Sequence, residues 1–362
     1  MVYRKPLEKV GYLLDDGRAK NLAMKIHDHH ELKFPLSVTR AVLFVTNKCN
    51  LNCHYCNSIC HSMRKWKNPH IKHLLDSLAY SGTKHVQWTG GEASLRDDIV
   101  DLVQHSHQLN MNNSMSTNLS LEIDRYISLI NAGIERFYIS VDCLDSDEYD
   151  TITSTHNYLP RVLGNVHQLV NYKRHKDFHI TLNITLDSDR YKSFIRDNFK
   201  ELQEMLQWLI ESNVDDFKFL PVHGLYSAQT ELVRNTFPSF INISRQLVPP
   251  KFKMFHHRLN TLILGGHGFT AGKEHHCYQS FDDRAFDSIG SYACIIQLRE
   301  GGKPLYLHDD PHEYKVLRLK NFMFSDRQYD PVCRTHCFDL YRDLNERVHY
   351  LLQAEKKEQI QL

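Results

Sequence analysis

The sequence predicts an α/β protein whose strands form a parallel sheet curved into an incomplete barrel. Six β-rich runs alternate with longer stretches of helical periodicity between Arg40 and Pro221. Strands that alternate with helices in this way form βαβ units, whose strands are parallel. A closed barrel of this type needs eight strands. Six units therefore predict an open, barrel-like arc.

The strands are placed by short runs rich in β-branched and aromatic residues. They are expected at Arg40–Thr46, His85–Thr89, Asn113–Thr117, Arg136–Val141, Phe178–Thr185 and Asp216–Pro221. Helices are expected at Ile99–Leu109 and Leu121–Ala132, where apolar residues recur every three or four positions. Gly133 follows the second helix as a C-cap residue would.

The alternation stops after Pro221, which indicates a change of organisation. Pro249-Pro250 and Gly265-Gly266-His267-Gly268 predict a loose linker or domain boundary. Ala293–Leu298 and Pro304–His308 flank a glycine-containing turn and predict a β-hairpin. A final amphipathic helix is expected to pack against the core, since it carries an apolar stripe of Tyr341, Leu344, Val348 and Leu351. The expected division is a lead-in (1–38), the barrel (39–221), a linker with a small domain (222–345) and a helical tail (346–362).

Composition excludes several classes of protein. The 44 basic and 43 acidic residues give a net charge of +1 and are scattered, so no nucleic-acid-binding face is expected. No apolar run reaches the roughly eighteen residues of a membrane span. Nine cysteines without a secretion signal favour metal or redox chemistry in a reducing compartment, which predicts a cytoplasmic protein.

Three cysteines follow the first predicted strand: Cys49, Cys53 and Cys56. Loops at the carboxyl ends of barrel strands build active sites. Three thiolates on one loop can hold three irons of a [4Fe–4S] cube, which leaves the fourth iron open. A structural zinc site is the alternative, with Cys60, His54 or His61 as the fourth ligand.

Polar residues also end the next three predicted strands. They are Gly90-Gly91-Glu92 after Thr89, Ser116-Thr117-Asn118 and Ser140-Val141-Asp142. The glycines would allow a close approach of the backbone to a ligand, and Glu92 offers a carboxylate to an amino group. Ligand-binding residues at the ends of four consecutive strands indicate a site at this rim of the barrel.

These motifs together resemble the radical S-adenosylmethionine (radical SAM) enzymes. The resemblance rests on Cys49-x-x-x-Cys53-x-x-Cys56 with Tyr55, on Gly90-Gly91-Glu92 and on Ala132–Asp142, and it covers about residues 39–221. It implies a partial (β/α)6 TIM-like barrel, a cluster-bound S-adenosylmethionine (SAM) and a 5′-deoxyadenosyl radical that abstracts a substrate hydrogen atom. One departure is Ala93, which stands where many relatives have proline.

The resemblance also implies roles for single residues. The three cysteines would hold the cluster, and Gly90, Gly91 and Glu92 would bind the methionine amino group. Ser140 and Asp142 would lie near the ribose, and the backbone around Tyr55 near the adenine. Thr117 and Asn118 are further candidates for cofactor binding.

Four more cysteines lie beyond the barrel: Cys277, Cys294, Cys333 and Cys337. Four thiolates can ligate a second [4Fe–4S] cube or a zinc ion. Their arrangement resembles the twitch domain, the short form of the SPASM auxiliary-cluster domain, although Tyr306-Leu307-His308 stands where relatives often have a cysteine. An auxiliary cluster would accept an electron from a substrate radical or relay electrons.

Two cysteines are left over. Cys60 is expected near the first cluster without ligating it. Cys143 directly follows Asp142. It is either a buried core residue or, at the rim, a thiol that returns a hydrogen atom to a substrate radical.

The expected function is therefore that of a radical SAM enzyme that oxidises a small biosynthetic intermediate or a peptide side chain. Its electron donor would be a protein such as flavodoxin or ferredoxin. Epimerisation or ring closure of a peptide, sugar or nucleotide is the alternative outcome. A zinc-stabilised binding protein and a pure electron carrier are the alternatives of other classes.

Overall fold

The structure is a computed structural model that describes residues 16–28, 38–58, 66–221, 231–263, 274–337 and 342–360. The strands of these ranges, β1 to β9, are Arg40–Phe44, His85–Thr89, Asn112–Thr117, Ile134–Ser140, His179–Leu186, Asp216–Pro221, Asp283–Phe286, Gly290–Tyr292 and Tyr306–Leu307. The α-helices, α1 to α15, are Asp16–Asp28, Asn68–Tyr80, Ile99–Gln108, Ile123–Ala132, Ser146–Thr153, Leu159–Tyr172, Ser188–Arg196, Lys200–Glu211, Glu231–Leu247, Lys253–Ile263, Gln279–Asp282, Ile295–Arg299, His312–Phe324, Pro331–His336 and Arg342–Ile360.

The nine strands form one sheet in the order β6-β5-β4-β3-β2-β1-β7-β8-β9. Strands β1 to β6 pair in parallel with their sequence neighbours, which confirms the predicted (β/α)6 arc. Strand β7 is also parallel to β1, whereas β8 and β9 pair antiparallel. The sheet therefore continues past β1 into the carboxyl-terminal part of the chain.

Each barrel strand alternates between two faces. In β5, Ile180, Leu182 and Ile184 are fully buried in the main hydrophobic core, together with residues of the surrounding helices. The intervening Thr181 and Asn183 are polar and point to the opposite, inner face. The helix-facing side thus supplies the stabilising core, and the inner side is left for function.

The predicted strands and helices of the barrel are confirmed, with ends displaced by a few residues. Helix α4 ends at Gly133, which has φ +121°. A side chain there would also collide with the ring of His107, so both the positive φ and the lack of space favour glycine.

The loose linker expected after Pro221 is wrong for residues 231–263, which form α9 and α10. Aromatic residues explain the difference, because they attach both helices to β6. The rings of Phe217 and Phe255 lie 4.9 Å apart, and those of Phe219 and Phe240 lie 5.4 Å apart. Pro249-Pro250 separates two helices of the barrel layer, and the predicted Gly265–Gly268 element lies outside the described residues.

The expected hairpin of Ala293–Leu298 with Pro304–His308 is also wrong. Ile295–Arg299 is helical, because the Cys294 side chain caps its amino end by accepting a hydrogen bond from the Gln297 amide. The antiparallel partner of Tyr306–Leu307 is instead β8, Gly290–Tyr292.

Helices α1 and α15 share one hydrophobic cluster. Leu22 and Ile26 of α1 pack there with Leu344 and Val348 of α15, so the predicted terminal helix does pack against the core. Tyr341 of the predicted stripe lies outside the described residues. Helix α15 runs through the expected boundary at 345/346, and the four-part division itself stays a prediction.

None of the helices in the described ranges is both long and apolar enough to cross a membrane.

Candidate active site

The cysteine loop directly follows β1 at its carboxyl end. Cys49, Cys53 and Cys56 are free thiols of intermediate exposure, and the Cys56 amide donates to the Cys53 carbonyl at 3.0 Å. Burial, followed by the charges of Asp142 and Cys56, raises the pKa of Cys53 to about 12. The three thiols are therefore close enough to influence one another's ionisation.

The glycine motif supports this loop through its backbone. The Gly91 amide donates to the Thr46 carbonyl at 2.7 Å, and the Glu92 amide to the Lys48 carbonyl at 2.8 Å. A Cβ atom at Gly90 or Gly91 would collide with those same carbonyl groups. The glycines thus permit close packing of two loops, which is a different reason from the approach to a ligand that the sequence suggested.

The opposite side of the loop is held by the last turn of α5. The Asn52 amide donates to the Thr153 carbonyl at 2.8 Å, and the His54 amide to the Ile152 carbonyl at 3.1 Å. The backbone of the cysteine loop is therefore fixed from two sides before any cofactor is considered.

The end of β3 supplies a third support. The Asn118 side chain donates to the Asn50 side chain at 3.0 Å and lies 3.8 Å from the Cys49 sulfur. Its carbonyl oxygen accepts from the Ser120 amide and hydroxyl. Asn118 is thus committed to shaping the loop around Cys49.

Glu92 is 1% exposed and its carboxylate is saturated by protein donors. One oxygen accepts from the Ser94 amide at 3.1 Å, the Ser94 hydroxyl at 2.6 Å and the Thr117 hydroxyl at 2.9 Å. The other accepts from the Asn118 amide at 2.7 Å. Because a carboxylate offers about four acceptor positions, these residues hold Glu92 as a clamp between the ends of β2 and β3.

Asp142 forms a similar clamp between the ends of β4 and β5. It is 4% exposed, accepts the Tyr55 hydroxyl and accepts the Thr185 amide at 2.7 Å. Burial and then the charge of Asp142 raise the pKa of Tyr55 well above its usual value, so the phenol stays a hydrogen-bond donor. Ser140, two residues earlier, lies on the partly exposed inner face of the barrel.

Cys143 lies in the helix-facing hydrophobic core and is fully buried. Its thiol lies 3.5 Å from the Asp145 carbonyl. Burial, and then the Glu148 carboxylate, raise the pKa of Cys143. Cys143 thus lies where a buried core residue would lie, and not on the inner face of the barrel.

The structure brings the four remote cysteines together. Burial and the charges of Cys277, Asp330, Cys294 and Cys337 raise the pKa of Cys333, which requires all of them to be near. Cys294 caps α12, and Cys333 and Cys337 lie in α14 and at its end. Gln297 holds the group, with its side-chain amide 3.2 Å from the Cys333 sulfur and 2.8 Å from the Asp330 carboxylate.

One side chain joins the two cysteine groups. The Glu300 carboxylate accepts from the Asn57 side chain at 2.7 Å and lies 3.6 Å from the His336 ring. Asn57 follows Cys56, and His336 precedes Cys337. The two thiol clusters therefore lie on either side of Glu300.

Both groups of cysteines offer the thiol ligands that iron–sulfur clusters use. Within the described ranges, no three His, Cys, Asp or Glu side chains are arranged to hold a single metal ion. Cys60 and His61, which the zinc alternative would use, lie outside the described residues.

Sequence reasoning missed the polar inner face of the barrel. Lys218, Arg136 and Tyr138 lie there, with the Lys218 ammonium 4.6 Å and the Arg136 guanidinium carbon 5.9 Å from the Tyr138 ring centroid. The alternation of these residues with buried apolar residues in β4 and β6 is the sequence pattern that could have predicted a polar inner face.

The fold and the rim site together define a class of protein. Residues 43–187 match the family model described as the radical SAM superfamily. The chain therefore contains a radical SAM domain, and the fold and the family expected from the motifs are confirmed. For that family, a [4Fe–4S] cluster and SAM are the implied cofactors.

Individual relatives extend the comparison. The chain is 32% identical over 146 residues to a probable GTP 3′,8-cyclase of Methanothermobacter marburgensis, covering 40% of this chain and 46% of that protein. It is 25% identical to a PqqA peptide cyclase of Bradyrhizobium diazoefficiens, covering 50% and 45%. The match thus spans about half the length of these curated relatives.

Among solved structures, the fold is similar to that of Streptococcus suis SuiB bound to its precursor peptide SuiA. The TM-score is 0.60 at 14% identity, over 89% of this chain and 74% of that one. At this identity the similarity concerns the fold alone.

Proposed function

We propose that this protein is a radical SAM enzyme that abstracts a hydrogen atom from a substrate held in the partial barrel. The observation that carries the proposal is the three-thiol loop at the end of β1, fixed by hydrogen bonds from three sides. Cys49, Cys53 and Cys56 would hold the cluster. When bound, the reduced cluster and SAM supply a 5′-deoxyadenosyl radical.

The residues at the rim divide into two roles under this proposal. Glu92 and Asp142 would act as positioning residues, because their carboxylates already accept hydrogen bonds from protein donors. These donors are the Thr117 hydroxyl and the Asn118 amide for Glu92, and the Tyr55 hydroxyl for Asp142. Cofactor contacts would then come from backbone groups around Gly90 and Gly91 and from the Ser140 hydroxyl. Buried clamps of this kind keep the strand ends at fixed separations.

We further propose a net two-electron oxidation as the outcome. Cys277, Cys294, Cys333 and Cys337 would hold an auxiliary cluster, joined to the cysteine loop through Glu300. Such a cluster supplies an acceptor for the electron of the substrate radical, while a proton leaves to solvent or a base. The core placement of Cys143 supports oxidation over epimerisation, since epimerisation needs a hydrogen donor beside the substrate.

Ring closure is the second candidate, favoured by the names of the relatives. Bond formation with loss of two hydrogens is itself a two-electron oxidation, so the same site would serve it. A small molecule or a peptide is the proposed substrate class, with a flavodoxin- or ferredoxin-like electron donor and a cytoplasmic location.

The test is anaerobic reconstitution followed by iron, sulfide and SAM-cleavage measurements. Two cubes require about eight irons per chain, and dithionite should drive 5′-deoxyadenosine formation. Cys53→Ala should abolish that cleavage, whereas the matched control Cys143→Ala should retain it. Stoichiometric zinc without a brown chromophore would refute the proposal.

The auxiliary cluster is tested separately with Cys333→Ala. The variant should keep about four irons and SAM cleavage, but it should form no oxidised product from a candidate substrate. Undiminished product formation would contradict the assigned role of the auxiliary cluster.

A further inference from the structure

The inner face of the partial barrel is polar where closed barrels are apolar. Branched apolar side chains fill the interior of a closed (β/α)8 barrel. Here the inner positions of β2 to β6 include Gln87, Ser116, Tyr138, Ser140, Asn183 and Lys218. Polar side chains on a buried face contribute little packing energy and need polar partners, which a polar ligand could supply.

Lys218 is the least expected of these residues. It is 9% exposed, and its ammonium lies over the ring of Tyr138 at 4.6 Å. Within the described part of the chain, its ammonium has no carboxylate or carbonyl partner at hydrogen-bonding distance. Burial of a lysine without such a partner is costly, so its retention calls for a compensating charge.

The charges around Lys218 do not provide that compensation. Burial lowers the pKa of Lys218 well below its usual value, and the neighbouring Arg258, Arg40 and Arg136 lower it further. Asp216 acts in the opposite sense, but its carboxylate already accepts the Met254 amide at 2.9 Å and the Phe255 amide at 3.3 Å.

Polar atoms without partners lie beside this cationic group. Neither the Thr181 hydroxyl oxygen nor the Asn183 side-chain oxygen has a hydrogen-bond partner among the described residues, although both atoms are buried. Strand register places Asn183 next to Lys218 on one side and next to Ser140 on the other. Thr181 is likewise next to Tyr138. These residues therefore form one patch that reaches the rim at Ser140.

We propose that the Lys218, Arg136, Tyr138 and Thr181 side chains of this patch bind an anionic group of the substrate. The Asn183 side-chain oxygen, which only accepts hydrogen bonds, would accept from a donor group of the same substrate. A carboxylate or a phosphate would accept from the Lys218 ammonium, the Arg136 guanidinium and the Thr181 hydroxyl, and would supply the missing negative charge. The anchored substrate would extend toward Ser140, where hydrogen abstraction takes place. The inference rests on the proposed function for that last step, but anion binding itself does not.

The experiment is isothermal titration calorimetry of the anaerobically reconstituted protein at low ionic strength. Inorganic phosphate, pyrophosphate and acetate are titrated into the wild type, Lys218→Met and the control Lys200→Met, whose lysine is 75% exposed on the outer helix α8. We expect one saturable site in the wild type and the control, with affinity lower by about tenfold or more in Lys218→Met. Tighter phosphate or pyrophosphate binding assigns a phosphate group, and tighter acetate binding a carboxylate.

The unfolding temperature of Lys218→Met shows whether a loss of anion binding is caused by misfolding. Because methionine removes a buried amino group that has no hydrogen-bond partner among the described residues, anion-free Lys218→Met should unfold at a temperature no lower than the wild type. Anion binding should also take up protons, since an anion raises the lowered pKa of Lys218.

The inference is overturned if none of the three anions binds saturably, if Lys218→Met binds them as the wild type does, or if that variant unfolds several degrees lower without anion. SAM cleavage in the same wild-type preparation separates the two proposals. Cleavage without anion binding refutes the inference alone, and anion binding without cleavage refutes the proposed function alone.

Discussion

Substitution of Gly91 by alanine tests whether the glycine motif fixes the cysteine loop through its backbone. An added Cβ would lie 2.7 Å from the carbonyl carbon of Lys48 and 2.9 Å from the carbonyl oxygen of Asn47. The carbonyl oxygen of Lys48 would lie closer still, so the Lys48 backbone must retreat by about 1 Å to regain van der Waals contact. Overpacking of this kind costs about 1–3 kcal/mol, and Cys49 follows Lys48 directly, so the displacement reaches the first thiol.

The assay compares iron content after anaerobic reconstitution with the free energy of unfolding from urea titration. We expect Gly91→Ala to lose stability in that range and to bind less iron at the rim site. Gly164→Ala is the matched control, because a Cβ there meets no atom within 4 Å and the residue lies inside helix α6. It should gain about 0.5–1 kcal/mol and keep its iron. Wild-type iron content and stability in Gly91→Ala would refute the reasoning.

Three further substitutions test other contacts. Glu92→Gln replaces an acceptor oxygen by an NH2 group that faces other hydrogen-bond donors, so the free energy of unfolding, measured without SAM, should fall by about 1–3 kcal/mol. An unchanged denaturation midpoint would mean that the carboxylate serves only the cofactor. Burial, followed by the charge of Arg40, lowers the pKa of His85 to about 4 from 6.5. The unfolded state therefore binds more protons between these values, and stability should fall by at most about 3 kcal/mol as the pH drops from 6.5 to 4. Urea titrations across this range should show a smaller slope for His85→Gln than for the wild type, and an identical slope would contradict the assignment. Gln297→Leu removes a hydrogen bond to the Cys333 sulfur, which should lower the midpoint potential of the proposed auxiliary cluster, since such bonds stabilise the reduced form; a redox titration followed by electron paramagnetic resonance would detect no shift if Gln297 merely packs.

The barrel and the position of the rim site could be predicted because both depend on local patterns. Alternating strands and helices fix the order of β1 to β6. The spacing of Cys49, Cys53 and Cys56 on the first loop is equally local. Parallel pairing then brings the ends of neighbouring strands to one rim.

The roles of individual rim residues depend on contacts that no local pattern encodes. Glu92 is a carboxylate at a strand end in the sequence, but its partners Thr117 and Asn118 come from the next strand. In the sequence, Lys218 is a single polar residue in an apolar strand. Only the pairing of β5 with β6, which places Lys218 opposite Asn183, shows that it lies in a patch of polar and cationic side chains. The segment 295–299 could be a strand or a helix by composition, and the cap at Cys294 decides for the helix.

The position of β1 between β2 and β7 has a consequence for the synthesis of the protein. Arg40 of β1 is bonded to Asp283 of β7, which lies 243 positions later in the chain. At the usual rates of translation this delay lasts roughly ten to fifty seconds. Throughout that interval β1 is an open edge with unpaired backbone groups. The strand that carries the cysteine loop therefore keeps one open edge, at which it can pair with another chain, until β7 has been synthesised.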